Sequence, residues 1–152
     1  MPPSDNPAGK KIDSELKTIN REVRFFMKKI IATDKAPGAI GPYSQAIQAG
    51  DFLFASGQIP LDLKTGQMVT GSIEDQARCV LDNVKGVVEG AGFTMQQIVK
   101  TTVFATNMDN FSAVNGVYAE YFGENPPARS FVAVRELPKG AEVEIEVVAW
   151  KG

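Results

Sequence analysis

One arginine and one glutamate near the C-terminus are the side chains best suited to chemistry in this chain. Arg129 follows Pro126 and Pro127 and begins an apolar segment, whereas Glu144 lies among alternating acidic and aliphatic residues after a Pro/Gly turn. A guanidinium matches a carboxylate through two hydrogen bonds, and a glutamate whose burial raises its pKa can position water or transfer protons. Two adjacent strands built in this way would hold the cation near the carboxylate, although a surface arginine and a solvent-facing glutamate are the plain alternatives.

The absence of histidine limits the chemistry further. The chain of 152 residues contains no histidine and a single cysteine, Cys79. Ser-His-Asp and Cys-His catalysis are therefore excluded, and most zinc, copper and haem sites are removed. We interpret Cys79 as an ordinary helix residue, and one cysteine cannot form an intrachain disulfide, which suits a reducing compartment. No Asp-rich loop resembles a magnesium or calcium site, so we expect no metal.

Composition favours one soluble globular domain. The chain is 43% hydrophobic and 22% charged, with a formal net charge of −2, which gives no global electrostatic case for nucleic acid. No apolar run approaches the roughly 20 residues that a membrane span needs. We expect a cytoplasmic protein, with an organelle as the alternative if the N-terminal segment is a targeting sequence.

The first 26 residues differ from the rest of the chain. They are polar, carry Pro2, Pro3 and Pro7, and lack a sustained apolar face, so we expect 1–26 to be a disordered extension before a domain at 27–152. Acidic residues within this segment argue against a transit peptide.

Hydrophobic periodicity predicts an α+β domain. The predicted elements are a strand at 29–32, a hairpin of 46–49 and 52–55, a helix from Ser72 to Gly92, a strand at 98–105, a helix from Asp109 or Asn110 to Gly123, and strands at 131–134 and 143–149. This order predicts a mixed sheet with two helices on one face.

The final strand predicts what lies on the other face of the sheet. Alternation directs Glu144 and Glu146 to that face together with Val148 and Trp150. A face that is half polar and half apolar favours oligomerisation, with a pocket between subunits. A solvated face is the alternative, and alternation alone does not decide between them.

Three other residues are candidates for the lining of a pocket. Tyr43 follows a Gly/Pro-rich loop that could hold its phenol at a pocket rim, or the ring could cap the core. Gly57 ends the hairpin and allows a ligand to approach the backbone closely. Asn115 lies off the apolar stripe of the second helix, where a solvated side chain is the default.

Six segments together resemble one protein family. They are 36–46 (APGAIGPYSQA), 56–60 (SGQIP), 81–84 (LDNV), 99–104 (VKTTVF), 127–130 (PARS) and 143–146 (VEIE). In this order, and across nearly all of the chain from Met27 onward, they closely resemble the RidA/YjgF family. Each segment alone would be a weak signal, but the combination is specific.

The resemblance implies a chorismate-mutase-like fold and a homotrimer with clefts between subunits. It also implies imine/enamine deaminase activity without a cofactor. The substrates would be 2-aminoacrylate, 2-iminopropanoate and 2-iminobutanoate, which pyridoxal-phosphate dehydratases release, and the products would be 2-keto acids and ammonia. Neither nucleic acid nor a membrane is an expected partner.

The resemblance also implies roles for individual residues. Arg129 matches the arginine that grips the substrate carboxylate, and Glu144 matches the glutamate that helps to place the attacking water. Tyr43, Gly57 and Asn115 match positions that line the pocket. Phe131 is a departure, because many bacterial members have cysteine there; a phenyl ring should narrow and dry the pocket, which affects the size of substrate that fits.

Two alternatives to a deaminase stay open. The first is a non-catalytic module that binds small carboxylates. The second is an endoribonuclease or translation inhibitor, which the lack of histidine and of a basic-aromatic patch argues against.

Overall fold

The structure, a computed structural model, describes residues 7–152, and only the backbone of 21–26. The helices within this range are α1 (Pro7–Phe26), α2 (Ile73–Gly90) and α3 (Phe111–Phe122). The strands are β1 (Lys29–Ile31), β2 (Ala46–Ala49), β3 (Phe52–Gln58), β4 (Ile98–Ala105), β5 (Ala128–Ala133) and β6 (Val143–Trp150). The predicted order of elements from residue 29 onward is therefore confirmed.

One mixed sheet contains these strands. Its order is β1-β2-β3-β6-β4-β5. The pairs are antiparallel except for β4 and β5, which run parallel and are joined through α3. A parallel pair needs such a crossover because the chain must return to the same end of the sheet. The predicted mixed α+β sheet is thus confirmed.

Helices α2 and α3 cover one face of the sheet and form the core with it. Buried residues of α2 recur at helical spacing and are at most 1% exposed: Ala77, Val80, Leu81, Val84, Val87 and Val88. They pack in one cluster with inward residues of the strands, such as Val103, Val143 and Ile145. Full burial of an aliphatic side chain contributes about 1.5–3 kcal/mol, so the burial of this cluster stabilises the packing of α2 on the sheet.

The ends of α2 are fixed by local hydrogen bonds. At its start, the Ser72 hydroxyl oxygen accepts a hydrogen bond from the backbone N–H of Asp75 at 3.1 Å. At its end, Gly92 has φ 79°, and the N–H groups of Gly92 and Phe93 donate to the carbonyls of Glu89 and Val88, both at 3.0 Å. Glycine allows this left-handed turn, so both predicted helix signals are confirmed.

The opposite face of the sheet is open and partly aromatic. Trp150 pairs with Phe52, and Val148 pairs with Phe54. The two phenylalanines are 43% and 50% exposed and Trp150 is 47% exposed. Glu144 and Glu146 share this face because they alternate with the buried residues of β6, as predicted.

Helix α1 lies where the sequence led us to expect disorder. Its interior contains good helix formers such as Lys, Glu, Leu and Arg. Ile12, Leu16 and Ile19 recur at helical spacing and are each more than half exposed, an apolar stripe that the sequence analysis overlooked. Residues 1–6 lie outside the described range, and the domain boundary near residue 27 stays a prediction. No helix within residues 7–152 has the length and apolar character that crossing a bilayer requires.

Candidate active site

Arg129 lies within β5, which begins three residues earlier than predicted. It pairs with Thr101 of β4, and paired residues direct their side chains to the same face of a sheet. Thr101 is fully buried beneath α3, where its hydroxyl lies 2.7 Å from the Tyr118 hydroxyl. Arg129 therefore faces the helices.

The guanidinium of Arg129 is held by an amide and surrounded by aromatic rings. Its Nη1 donates to Asn115 Oδ1 at 2.7 Å. Its central carbon lies 4.7 Å from the ring centroid of Tyr118, 5.4 Å from that of Phe131 and 5.7 Å from that of Phe111, distances at which a cation is attracted to a ring. Because Asn115 accepts only one of the five N–H bonds, the guanidinium retains donors for a carboxylate.

Helix α3 explains this arrangement. Phe111, Asn115 and Tyr118 recur at i, i+4 and i+7, so they lie along one side of the helix. Asn115, whose default from sequence was a solvated side chain, instead contacts Arg129. The sequence analysis did not single out Phe111 or Tyr118; their spacing relative to Asn115 is the signal that could have linked them to the arginine.

Glu144 occupies the other face of the sheet. It pairs with Phe104 of β4 and alternates with the fully buried Val143 and Ile145. Partial burial raises the pKa of its carboxyl, and the charge of Glu146 on the same face raises it further. This carboxyl therefore keeps its proton at higher pH than an exposed glutamate.

Gly57 makes room for the Glu144 side chain. The pairing of β3 with β6 shifts register between Ala55 and Gln58, which is the irregularity of a bulge. A β-carbon at position 57 would collide with the carboxylate oxygen Oε1 of Glu144. The approach of a ligand to Gly57 stays a prediction; in the structure it is the Glu144 side chain that lies close to this glycine.

Tyr43 lies in the same cleft as Glu144. The cleft has a volume of about 530 Å³ and is lined by Ile40, Tyr43, Ser56, Gly57, Ile59, Pro138, Lys139 and Glu144. The Tyr43 side chain is 49% exposed, and its hydroxyl oxygen accepts from the Ile40 N–H at 3.3 Å. Of the two interpretations from sequence, the rim position agrees with this exposure.

The loop that carries Ile40 and Tyr43 is anchored by Gln45. This side chain is 4% exposed, and its amide oxygen accepts from the Thr33 N–H at 2.6 Å. Its amide nitrogen donates to the carbonyls of Thr33 at 3.1 Å and Pro37 at 2.9 Å. One buried amide thus fixes both ends of the turn that leads to the cleft.

Lys139 also lines the cleft, although the sequence analysis did not single it out. It has φ 55°, the only positive φ of a residue other than glycine within the described range. A residue other than glycine adopts positive φ only at a cost in conformational free energy, and residues strained in this way recur at functional sites. The sequence signal that could have pointed to Lys139 is its place between Pro138 and Gly140 in this turn. In the structure Gly140 also has positive φ, at 71°.

The predicted site residues therefore form two groups. Arg129, Asn115 and Phe131 lie on the helix side of the sheet, whereas Tyr43, Gly57 and Glu144 meet in the cleft on the open side. The expectation that adjacent strands bring the arginine near the glutamate is wrong, because β4 lies between β5 and β6. We call Arg129 together with Asn115, Phe111 and Phe131 the arginine group. One copy of the chain does not bring this group to the cleft that contains Glu144.

Known proteins resemble this chain over most of its length. The family model described as Endoribonuclease L-PSP matches residues 33–151. A RutC family protein of Pyrococcus horikoshii is 54% identical over 82% of this chain and 99% of its own length. The 2-iminobutanoate/2-iminopropanoate deaminase of Dermatophagoides farinae is 49% identical over 80% of this chain and 94% of its own. The crystal structure of Escherichia coli TdcF with bound serine is 45% identical, covers 82% of this chain and 99% of that one, and superposes with a TM-score of 0.79.

Proposed function

The chain belongs to the RidA/YjgF family, and on that premise we propose that it hydrolyses reactive 2-imino acids. In this reaction R–C(=NH)–COO⁻ and water give R–CO–COO⁻ and ammonia. The substrates are 2-iminopropanoate, its enamine tautomer 2-aminoacrylate, and 2-iminobutanoate, as pyridoxal-phosphate dehydratases release them. The proposal is supported by the relative named as a 2-iminobutanoate/2-iminopropanoate deaminase.

The observation that carries this proposal is the environment of Arg129. Its guanidinium is oriented by Asn115 and flanked by three rings, so little side-chain freedom is left to lose when a ligand binds. A carboxylate fits the remaining N–H fork in the bidentate manner that guanidinium favours. Serine, which the Escherichia coli relative binds, also carries a carboxylate beside a nitrogen-bearing carbon.

Glu144 is proposed to direct the attacking water. Its raised pKa brings its proton exchange closer to neutral pH, where a general acid or base works best. Water adds to the imine carbon while Glu144 accepts one of its protons and returns that proton to nitrogen, which gives a carbinolamine. Glu144 then moves the proton of the new hydroxyl to the amino nitrogen, and ammonia leaves as the carbonyl forms. Because free imines already hydrolyse in water, positioning of the two reactants accounts for a useful acceleration.

The proposed assembly is a homotrimer with clefts between subunits. Two features support it: the open face of the sheet exposes Phe52, Phe54 and Trp150, and the two groups of site residues lie on opposite faces of a protomer. A second copy that packs on the open face would bring its own arginine group to the cleft of Glu144. Each cleft would then hold one arginine and one glutamate from different subunits.

The experiment couples a threonine or serine dehydratase to this protein and follows the appearance of the 2-keto acid. Wild-type protein should accelerate this step, and Arg129→Ala should abolish the acceleration. No acceleration by the wild type with either dehydratase would refute the deaminase.

The alternative is a module that binds small carboxylates without turnover. It is favoured by the fact that the arginine group is complete within one protomer. Glu144→Gln separates the two functions, because a deaminase should lose turnover and still bind 2-keto acids. An endoribonuclease, despite the description of the family model, has weaker support in a chain with no histidine and a net charge of −2.

A further inference from the structure

Phe111 has a position that helix packing does not explain. It begins α3 but is 38% exposed, whereas Val114, Val117 and Tyr118 of the same helix are buried. Its ring contacts that of Phe131 edge to face, with centroids 4.8 Å apart and an angle of 60° between the planes. Phe131 packs against the core and therefore fixes the orientation of the pair.

Both rings lie beside the guanidinium that is proposed to bind the substrate. The Arg129 carbon is 5.7 Å from one centroid and 5.4 Å from the other. In a 2-imino acid the side chain is attached to the imine carbon, so its first carbon lies two bonds from the carboxylate carbon. A carboxylate held by Arg129 therefore places the first carbons of that side chain within reach of the rings.

We propose that Phe111 and Phe131 form an aromatic wall that receives the substrate side chain and makes this protein select short, unbranched aliphatic side chains. The proposal rests on the deaminase function above and adds the determinant of specificity. The rings stabilise a methyl or ethyl group by apolar contact and disfavour a charged group, whose desolvation is costly. Their bulk also occupies the space that a branched or aromatic side chain would need.

The two rings of the aromatic wall support each other. The Phe131 ring is held by Phe111 on one side and by the core on the other, and it follows Arg129 on β5 by two residues, so both side chains point to the same face. A change at either ring should therefore alter side-chain preference without removing the carboxylate clamp, because the Arg129 contacts to Asn115 and Tyr118 are independent of the wall.

The test compares imino acids that differ only in side chain. An amino acid oxidase generates them in place from 2-aminobutanoate and from leucine, and the ratio of kcat/KM for the leucine-derived to the 2-aminobutanoate-derived imine is measured. In Phe111→Ala and Phe131→Ala this ratio should rise about tenfold, as is typical when a pocket gains or loses one or two methylene groups. Phe111→Leu and Phe131→Leu guard against loss of folding and should give smaller increases.

The matched control is Met108→Ala, an exposed apolar side chain one helical turn before Phe111, which should leave the ratio unchanged. Calorimetric binding of 2-oxobutanoate and 4-methyl-2-oxopentanoate gives a second readout that does not require turnover. Unchanged ratios in both assays, with activity still lost in Arg129→Ala, would overturn the wall and leave the deaminase standing. If the wild type neither turns over an imine nor binds a keto acid, both proposals fall.

Discussion

Arg129 and Glu144 lie on opposite faces of one sheet, on strands separated by β4. The pairing of Arg129 with Thr101 and of Glu144 with Phe104 fixes this relationship, because Thr101 and Phe104 are three residues apart on β4 and so point in opposite directions. A reaction that needs both side chains must therefore draw them from two copies of the chain.

Mixing two inactive variants tests this requirement. Arg129→Ala and Glu144→Gln are unfolded together and refolded as a mixture. In a trimer with shared clefts, every mixed assembly regains one cleft with both side chains, and random mixing should restore about a quarter of wild-type activity. Each variant refolded alone serves as the control, and a mixture as inactive as its components would exclude shared clefts.

Glu144→Gln should also change how stability depends on pH. The folded-state pKa of Glu144 lies above its ordinary value of 4.5, so the folded state holds a proton that the unfolded state releases as pH rises through that range. Wild-type stability should thus decline between the unfolded and folded pKa values. The variant lacks this loss and should be the more stable protein at neutral pH, with the difference vanishing below about pH 4.

Urea unfolding of both proteins across a pH series measures this difference. Glu146→Gln is the informative companion, because it removes the neighbouring charge but not the burial, and it should weaken the pH dependence only in part. Parallel curves for wild type and Glu144→Gln would contradict the raised pKa.

Gly57→Ala should displace the carboxylate of Glu144. The added β-carbon would collide with Oε1, so the side chain must rotate away and turnover should fall at least tenfold, by the sensitivity of catalysis to placement. Binding of 2-oxobutanoate through Arg129 should persist. The control is Gly116→Ala on the exposed side of α3, where nothing lies within 4 Å of the new atom and helix propensity predicts about 0.5–1 kcal/mol of stabilisation.

Removal of residues 1–26 should leave the domain intact. The described side chains of α1, at 7–20, are exposed, and the core cluster begins at Ile31. A chain that starts at Met27 should keep its thermal midpoint within about 2 °C, since surface changes away from the core are nearly neutral. A drop of several degrees would mean that α1 contributes contacts to the folded domain.

The sequence predicted local structure well because its signals are local. The cap at Ser72, the turn at Gly92 and the alternation of β6 each depend on residues close in the chain. The order of strands depends instead on contacts between distant segments, which explains why the position of β4 between β5 and β6 was not foreseen. Within the site, Asn115 looked solvated because its partner Arg129 lies on a separate strand.

The arginine group belongs to one continuous stretch of chain. Arg129, Asn115, Phe111 and Phe131 all lie between the start of β4 and the end of β5, whereas Tyr43, Gly57 and Glu144 lie outside that segment. On the roles proposed for these residues, recognition of the substrate and direction of water are therefore encoded in different segments of the chain. A chimera that receives residues 98–133 from a relative should take on that relative's preference for substrate side chains, while it keeps Glu144 of this chain. New substrate specificities could therefore arise by exchange of this one segment.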